Sequence, residues 1–169
     1  MFANFIQSLS QPEYIHVLIN PLPVYGLAIA VIGLIIALVQ RSRSAQVATL
    51  ALILLCGAIA WPVMHYGEAG KDIAISLSDE QGQAWLEAHE HRAEKFIWAF
   101  YLLAGLAAVA ILAPMKWPKT STALVLVTLL CAFAVLGAGG YIAYAGGKVR
   151  HREFRNEPAP ILQAGSYDH

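Results

Sequence analysis

The sequence predicts an all-α fold, an integral membrane four-helix bundle running up-down-up-down. Three observations predict it. Of the 169 residues, 58% are hydrophobic and only 13% are charged, whereas a soluble domain carries about 25% charged residues. The charges are bunched, so that residues 22–40, 45–64, 96–115 and 120–147 contain none. A helix needs roughly 20 apolar residues to cross a bilayer core, and each window is close to that length or longer. A soluble bundle would instead show a polar stripe along each helix, and these windows show none.

The elements follow in order, within a single domain. Residues 1–20 read as a polar-to-amphipathic lead-in. They lack a basic n-region and a cleavage-type end, so the first span is expected to be the insertion signal and to be retained. That span covers about 22–40. Pro21 and Pro23 in "NPLPVYGL" suit a helix start, where a missing N–H is harmless. "RSRS" makes a basic turn from Arg41 to Ser44. The second span, about 45–64, ends at "AWPVMHYGEAG". A polar loop is expected over 66–94, with a short amphipathic helix from about Gln83 running into the third span at 96–115. "APMKWPKTS" is the second short turn. The fourth span, about 121–145, ends at "GGKVRHREFR", and a tail occupies 148–169. Cys56 and Cys131 fall mid-span, where they read as small packing residues and not as a disulfide.

Four spans put both short turns on one face. That face holds Arg41, Arg43, Lys116 and Lys119 and no acid, while all eleven acids lie toward the other face. The density of basic residues places the turns in the cytoplasm. Both termini and the 66–94 loop are then periplasmic, in a bacterial inner membrane. A net charge of zero gives no reason to expect a nucleic-acid partner.

His16, His65, His89, His91 and His151 all flank span ends on the acid-bearing face, and His169 ends the tail. In "HEHRAE", His89 and His91 stand about 200° apart on a helix, so only one can face the bundle. His65 lies above Gly57 and Ala58, which would leave room for a flat ligand. The glycines at 137, 139, 140, 146 and 147 permit either close helix approach or the edge of a porphyrin.

Two chemistries fit. A b-type haem takes axial imidazoles from facing helices. His65, His89, His91 and His151 are the candidates, with Arg92 and Arg150, beside Lys148 and Arg152, toward the propionates. The rival is a metal site built from His65, His91, Glu68 and Glu94. No nucleophile elbow, phosphate loop or Cys-x-x-Cys is present. No charge stands mid-span to mark a transport path. The expectation is therefore an electron-transfer or structural subunit more than an enzyme.

Four stretches together resemble the DUF2231 family of four-span bacterial membrane proteins: "INPLPVYGLAIAVIGLI", "AWPVMHYGEAGKDI", "WLEAHEHRAEKF" and "GGYIAYAGGKVRHREF". Members typically carry a His-Pro at the start of the first span and a second histidine shortly after. Here Asn20 precedes Pro21, and Tyr25 lies near the second position. The resemblance implies no activity. Its members look like companions of cytochromes and respiratory modules. The expected partners are accordingly other subunits of a membrane complex, or a periplasmic cytochrome docked on the outer face. A cofactor-free anchor for a larger assembly is the alternative.

Overall fold

The computed structural model describes residues 6–160. They fold as four long helices packed side by side, with no strand among the described residues. The first long helix combines α1 (Pro12–Ile19) and α2 (Leu27–Val39), joined through a π-helical turn at Leu22–Gly26. The second combines α3 (Arg43–Ala58) and α4 (Ala60–Ala69). A short α5 (Lys71–Ser76) leads to α6 (Glu80–Lys116), the third, and α7 (Ser121–Arg150) is the fourth. Sequential neighbours pack on each other, and the fourth helix closes the ring against the first.

Two expectations are corrected. Pro21 and Pro23 do not start a helix. The helix begins at Pro12, and the two prolines fall at its π-helical turn, where their missing N–H groups interrupt the i→i−4 ladder. The 1–20 lead-in is therefore partly helical, and α1 packs on α4. The 66–94 stretch is not a loop either. It is helical except around Gly70 and Leu77–Asp79. Asp79 caps α6, its carboxylate accepting from the Gly82 N–H at 2.9 Å, which satisfies one of the orphan donors of a helix start. The Lys71–Glu90 pair, at 2.6 Å, then ties α5 back onto α6.

The core positions explain why the helices associate. Leu27, Ala30, Val31, Leu34 and Ala37 are buried on α2. Phe100, Leu103, Ala107 and Ala110 are buried on α6, and Val125, Thr128, Ala132, Val135 and Gly139 on α7. Alternating steps of three and four keep one stripe facing the partner, as in left-handed bundles. Small residues bring the backbones close. A Cβ on Gly57 would fall 2.6 Å from the Phe100 carbonyl oxygen, and one on Gly139 would fall 2.9 Å from Val24 Cγ2. The space expected beside Gly57 for a flat ligand is filled by α6.

The outside is as apolar as the inside. All four helices are long and apolar enough to cross a membrane, yet only 22–33% of each most apolar window is buried. Val39, Met115 and Leu130 are 79%, 80% and 70% exposed. Leaving such a side chain in water forfeits about 1.5–3 kcal/mol. At 1.5 Å per residue, α6 is ~55 Å long, against a hydrocarbon thickness of ~30 Å. The surplus lies at its N-terminal, polar end.

The opposite end is built around two backbone irregularities. The first long helix closes in a Schellman arrangement, with Ser42 N–H on the Ala37 carbonyl (3.1 Å) and Arg41 N–H on the Leu38 carbonyl (3.0 Å). Arg41 occupies its left-handed position at φ 52°, where glycine is the usual residue. Pro114 lies inside α6, so the Ala110 carbonyl loses its intrahelical donor. Arg43 replaces it, Nη2 donating to the Ala110 oxygen at 3.0 Å and to the Ile111 oxygen at 3.3 Å.

Candidate functional site

At the polar end, two histidines are turned into the bundle. His16 stands on α1 and is partly buried, and its Nδ1 donates to the Val63 carbonyl of α4 at 2.8 Å. His89 stands on α6 and is partly buried, and its Nδ1 donates to the Ile142 carbonyl of α7 at 3.0 Å. A carbonyl oxygen only accepts, so each Nδ1 carries a proton, and Nε2 is the ring nitrogen left for another partner.

A glycine makes each contact possible. Within a helix the carbonyl of residue i points toward residue i+4. Those positions are Gly67, four after Val63, and Gly146, four after Ile142. A Cβ on Gly67 would lie 2.9 Å from His16 Nδ1, and one on Gly146 would lie 3.0 Å from His89 Nδ1. The bare backbone opens the carbonyl to the ring. The two hairpins thus repeat one device, an imidazole on the first helix seated on a glycine of the second.

Other polar groups gather around the pair. Arg92, one turn after His89 and 8% exposed, lies 3.8 Å over the Tyr141 ring and donates to the Tyr141 carbonyl at 2.9 Å. Glu13, one turn before His16, has a buried Oε2 without a partner among the described residues. Lys148 is buried against the faces of Trp85 and Tyr144, 4.4 and 4.1 Å from the ring centres, a cation–π arrangement. It also donates to Glu157 at 2.8 Å.

The segment after α7 is fastened down, where a tail was expected from 148. Residues 148–150 complete the helix. Arg155 then folds back, donating to the Lys148 and Val149 carbonyls, both at 2.7 Å, and to Asp79 at 2.8 Å. Arg152 reaches Asp79 at 3.0 Å. The Gly82 N–H, first, and the Arg155 guanidinium, second, hold the Asp79 carboxyl below its usual range. Lys148 does the same for Glu157.

Neither a family model nor a curated protein nor a solved structure matches this chain.

Of the residues singled out in the sequence, His89 and Arg92 face the interior. His65, His91, His151, Arg150, Glu68 and Glu94 are exposed. His65 lies flat on the Trp61 ring, centres 5.6 Å apart, and His151 pairs with Glu153 at 2.9 Å. Among the described residues no group of three or more His, Cys, Asp or Glu side chains is placed to hold a metal. The expected set of His65, His91, Glu68 and Glu94 is therefore not assembled. The reason is helical phase. His91 is two residues from His89 and turns outward, and His65 is two residues from both Val63 and Gly67 and turns off the face that meets α1. His169 lies outside the described residues. His16 was not among the expected ligands. Its signal was its setting: "YIHVLI" puts one imidazole in an otherwise apolar run.

Proposed function

We propose that the chain is a small integral membrane subunit of an electron-transfer complex, in which His16 and His89 are the residues that would hold a b-type haem. The observation that supports this most is the matched seating of the two imidazoles. Axial histidines are typically fixed by a hydrogen bond from the second ring nitrogen to a carbonyl, and both rings have one. They come from separate hairpins and keep Nε2 available, so the donor set fits the group. Haem would supply one-electron chemistry. The residues would orient it: His16 and His89 through their anchored rings, Arg92 and Lys148 by offering positive charge beside carboxylates. The apolar exterior and helix lengths support insertion, with the polar end projecting from the bilayer on the periplasmic side. That end would meet a periplasmic cytochrome or a neighbouring subunit. The DUF2231 resemblance agrees with such a setting.

A reduced-minus-oxidised spectrum with a pyridine haemochrome assay on the detergent-purified protein tests the reading. The expected result is a b-type signal near one haem per chain. It should be lost in His16→Ala and in His89→Ala and kept in His65→Ala, His91→Ala and His151→Ala. Folded protein with no such signal would point to a cofactor-free structural subunit. Elemental analysis of the same preparation checks for a metal other than haem iron.

A further inference from the structure

The second chemistry of this molecule lies at the opposite end, where the two short turns meet. An open cavity of about 560 Å³ there is lined by Arg41, Arg43, Gln46, Ser121 and Thr122, with Leu38, Pro114 and Pro118 as its apolar wall. Arg43 uses Nη2 on the broken α6 ladder, while its Nη1 is buried with no partner among the described residues. A guanidinium N–H held out of water without an acceptor is costly. Arg41 brings a second guanidinium, from a backbone position that disfavours any side chain. The chain has no acid between Glu13 and Glu68 or between Glu94 and Glu153, so no carboxylate of either turn competes for them. The first turns of α3 and α7 border the same cavity, and the N–H groups at helix starts favour an anion.

From this geometry we infer an anion site for the phosphate headgroup of an acidic phospholipid. A phosphate offers what the cavity lacks, acceptor oxygens for the Arg41 guanidinium and for the partnerless Nη1 of Arg43. A lipid is preferred to a free phosphate because exposed Val39, Leu112 and Met115 continue from the rim along the outer surface, where acyl chains would lie. Basic pockets between membrane helices on the cytoplasmic side bind such headgroups. The inference is independent of haem and rests on the chain lying in a bilayer.

The test uses the full-length protein. Carbonate extraction of membranes comes first. If the chain is released, the membrane reading fails and this inference fails with it. With the chain retained, short-chain phosphatidylglycerol, matched phosphatidylcholine and inorganic phosphate are titrated into purified protein, reading Kd and Tm. Phosphatidylglycerol should bind and raise Tm, and phosphatidylcholine should do neither. Arg41→Gly should raise the lipid-free Tm, since glycine suits the left-handed position. It should nevertheless weaken phosphatidylglycerol binding about five- to tenfold, the scale of one cationic contact at a membrane surface. Arg43→Lys, which keeps the charge but not the fork, should weaken it also. Equal binding of the two lipids, or an Arg41→Gly protein with unchanged affinity, overturns the proposal. Phosphate binding as tightly as the lipid reassigns the site to a free anion and overturns the lipid.

Discussion

A single missing methyl group decides where each interior histidine can stand. Gly67 and Gly146 are helical, and alanine is the better helix former by about 1 kcal/mol. On propensity alone both substitutions should stabilise. The ring contacts argue the reverse, since a Cβ would meet His16 and His89 at 2.9 and 3.0 Å. Gly67→Ala and Gly146→Ala are therefore each expected to lower stability by about 1–3 kcal/mol, the usual cost of overpacking, and to weaken any haem signal. Gly140→Ala, where the added Cβ meets open space, should be neutral or stabilising. Thermal unfolding of the three variants side by side checks this, and equal shifts in all three would remove the glycines' special role. His89 was legible because only one of two histidines two residues apart can face inward. His16 was not, because its segment read as a lead-in, and its burial depends on α4, a partner distant in sequence. The glycine pattern was visible, but one pattern served three ends: helix contact at Gly57 and Gly139, ring seats at Gly67 and Gly146, and open surface at Gly137, Gly140 and Gly147.

At the scale of elements, the four apolar windows were plain in the sequence because lipid-length runs of uncharged residues have few other uses. The helix ends were harder, since polar helices are stabilised by contacts that hydropathy does not carry. The cap at Asp79 in "LSDEQG" was a readable start signal, yet α5 and the first turns of α6 rely on the Lys71–Glu90 pair and on burial of Trp85. The interruption at Pro114 supplies an element-scale prediction. Arg43→Gln should destabilise the protein by about 1–3 kcal/mol, as expected when a buried carbonyl loses a charged donor. In a Pro114→Ala background, the restored N–H can serve the Ala110 carbonyl and the same change should cost less. A double-mutant cycle by denaturant unfolding measures the difference, and strictly additive effects would mean that Arg43 does not compensate for the proline.

For the whole molecule, the segment after α7 is held at Asp79 and Glu157, two carboxyls kept ionised by neighbouring donors and cations. A carboxyl with a depressed pKa in the folded state adds stability above its unfolded pKa, and this is lost as pH falls through the folded value. The fastening should hold from neutral pH down to about pH 4, the ordinary carboxylate pKa, and loosen below it. Asp79→Asn should loosen the segment at neutral pH and leave only the Glu157 share of the pH dependence. Hydrogen exchange over residues 151–157, corrected for intrinsic rates, reports both outcomes, and pH-independent protection in the wild-type chain would sink the argument.

Each imidazole is seated within its own hairpin, His16 against the second long helix and His89 against the fourth. Each half of the molecule therefore carries one seated imidazole of its own. If the proposed haem is bound, a chain cut in the connection around Leu77–Asp79, with both pieces made together, should bind it when the hairpins dock and fail to bind it in either piece alone. A cofactor held there would act as a clasp. During biosynthesis its colour would report the moment of docking, and its loss would leave two complete hairpins free to part.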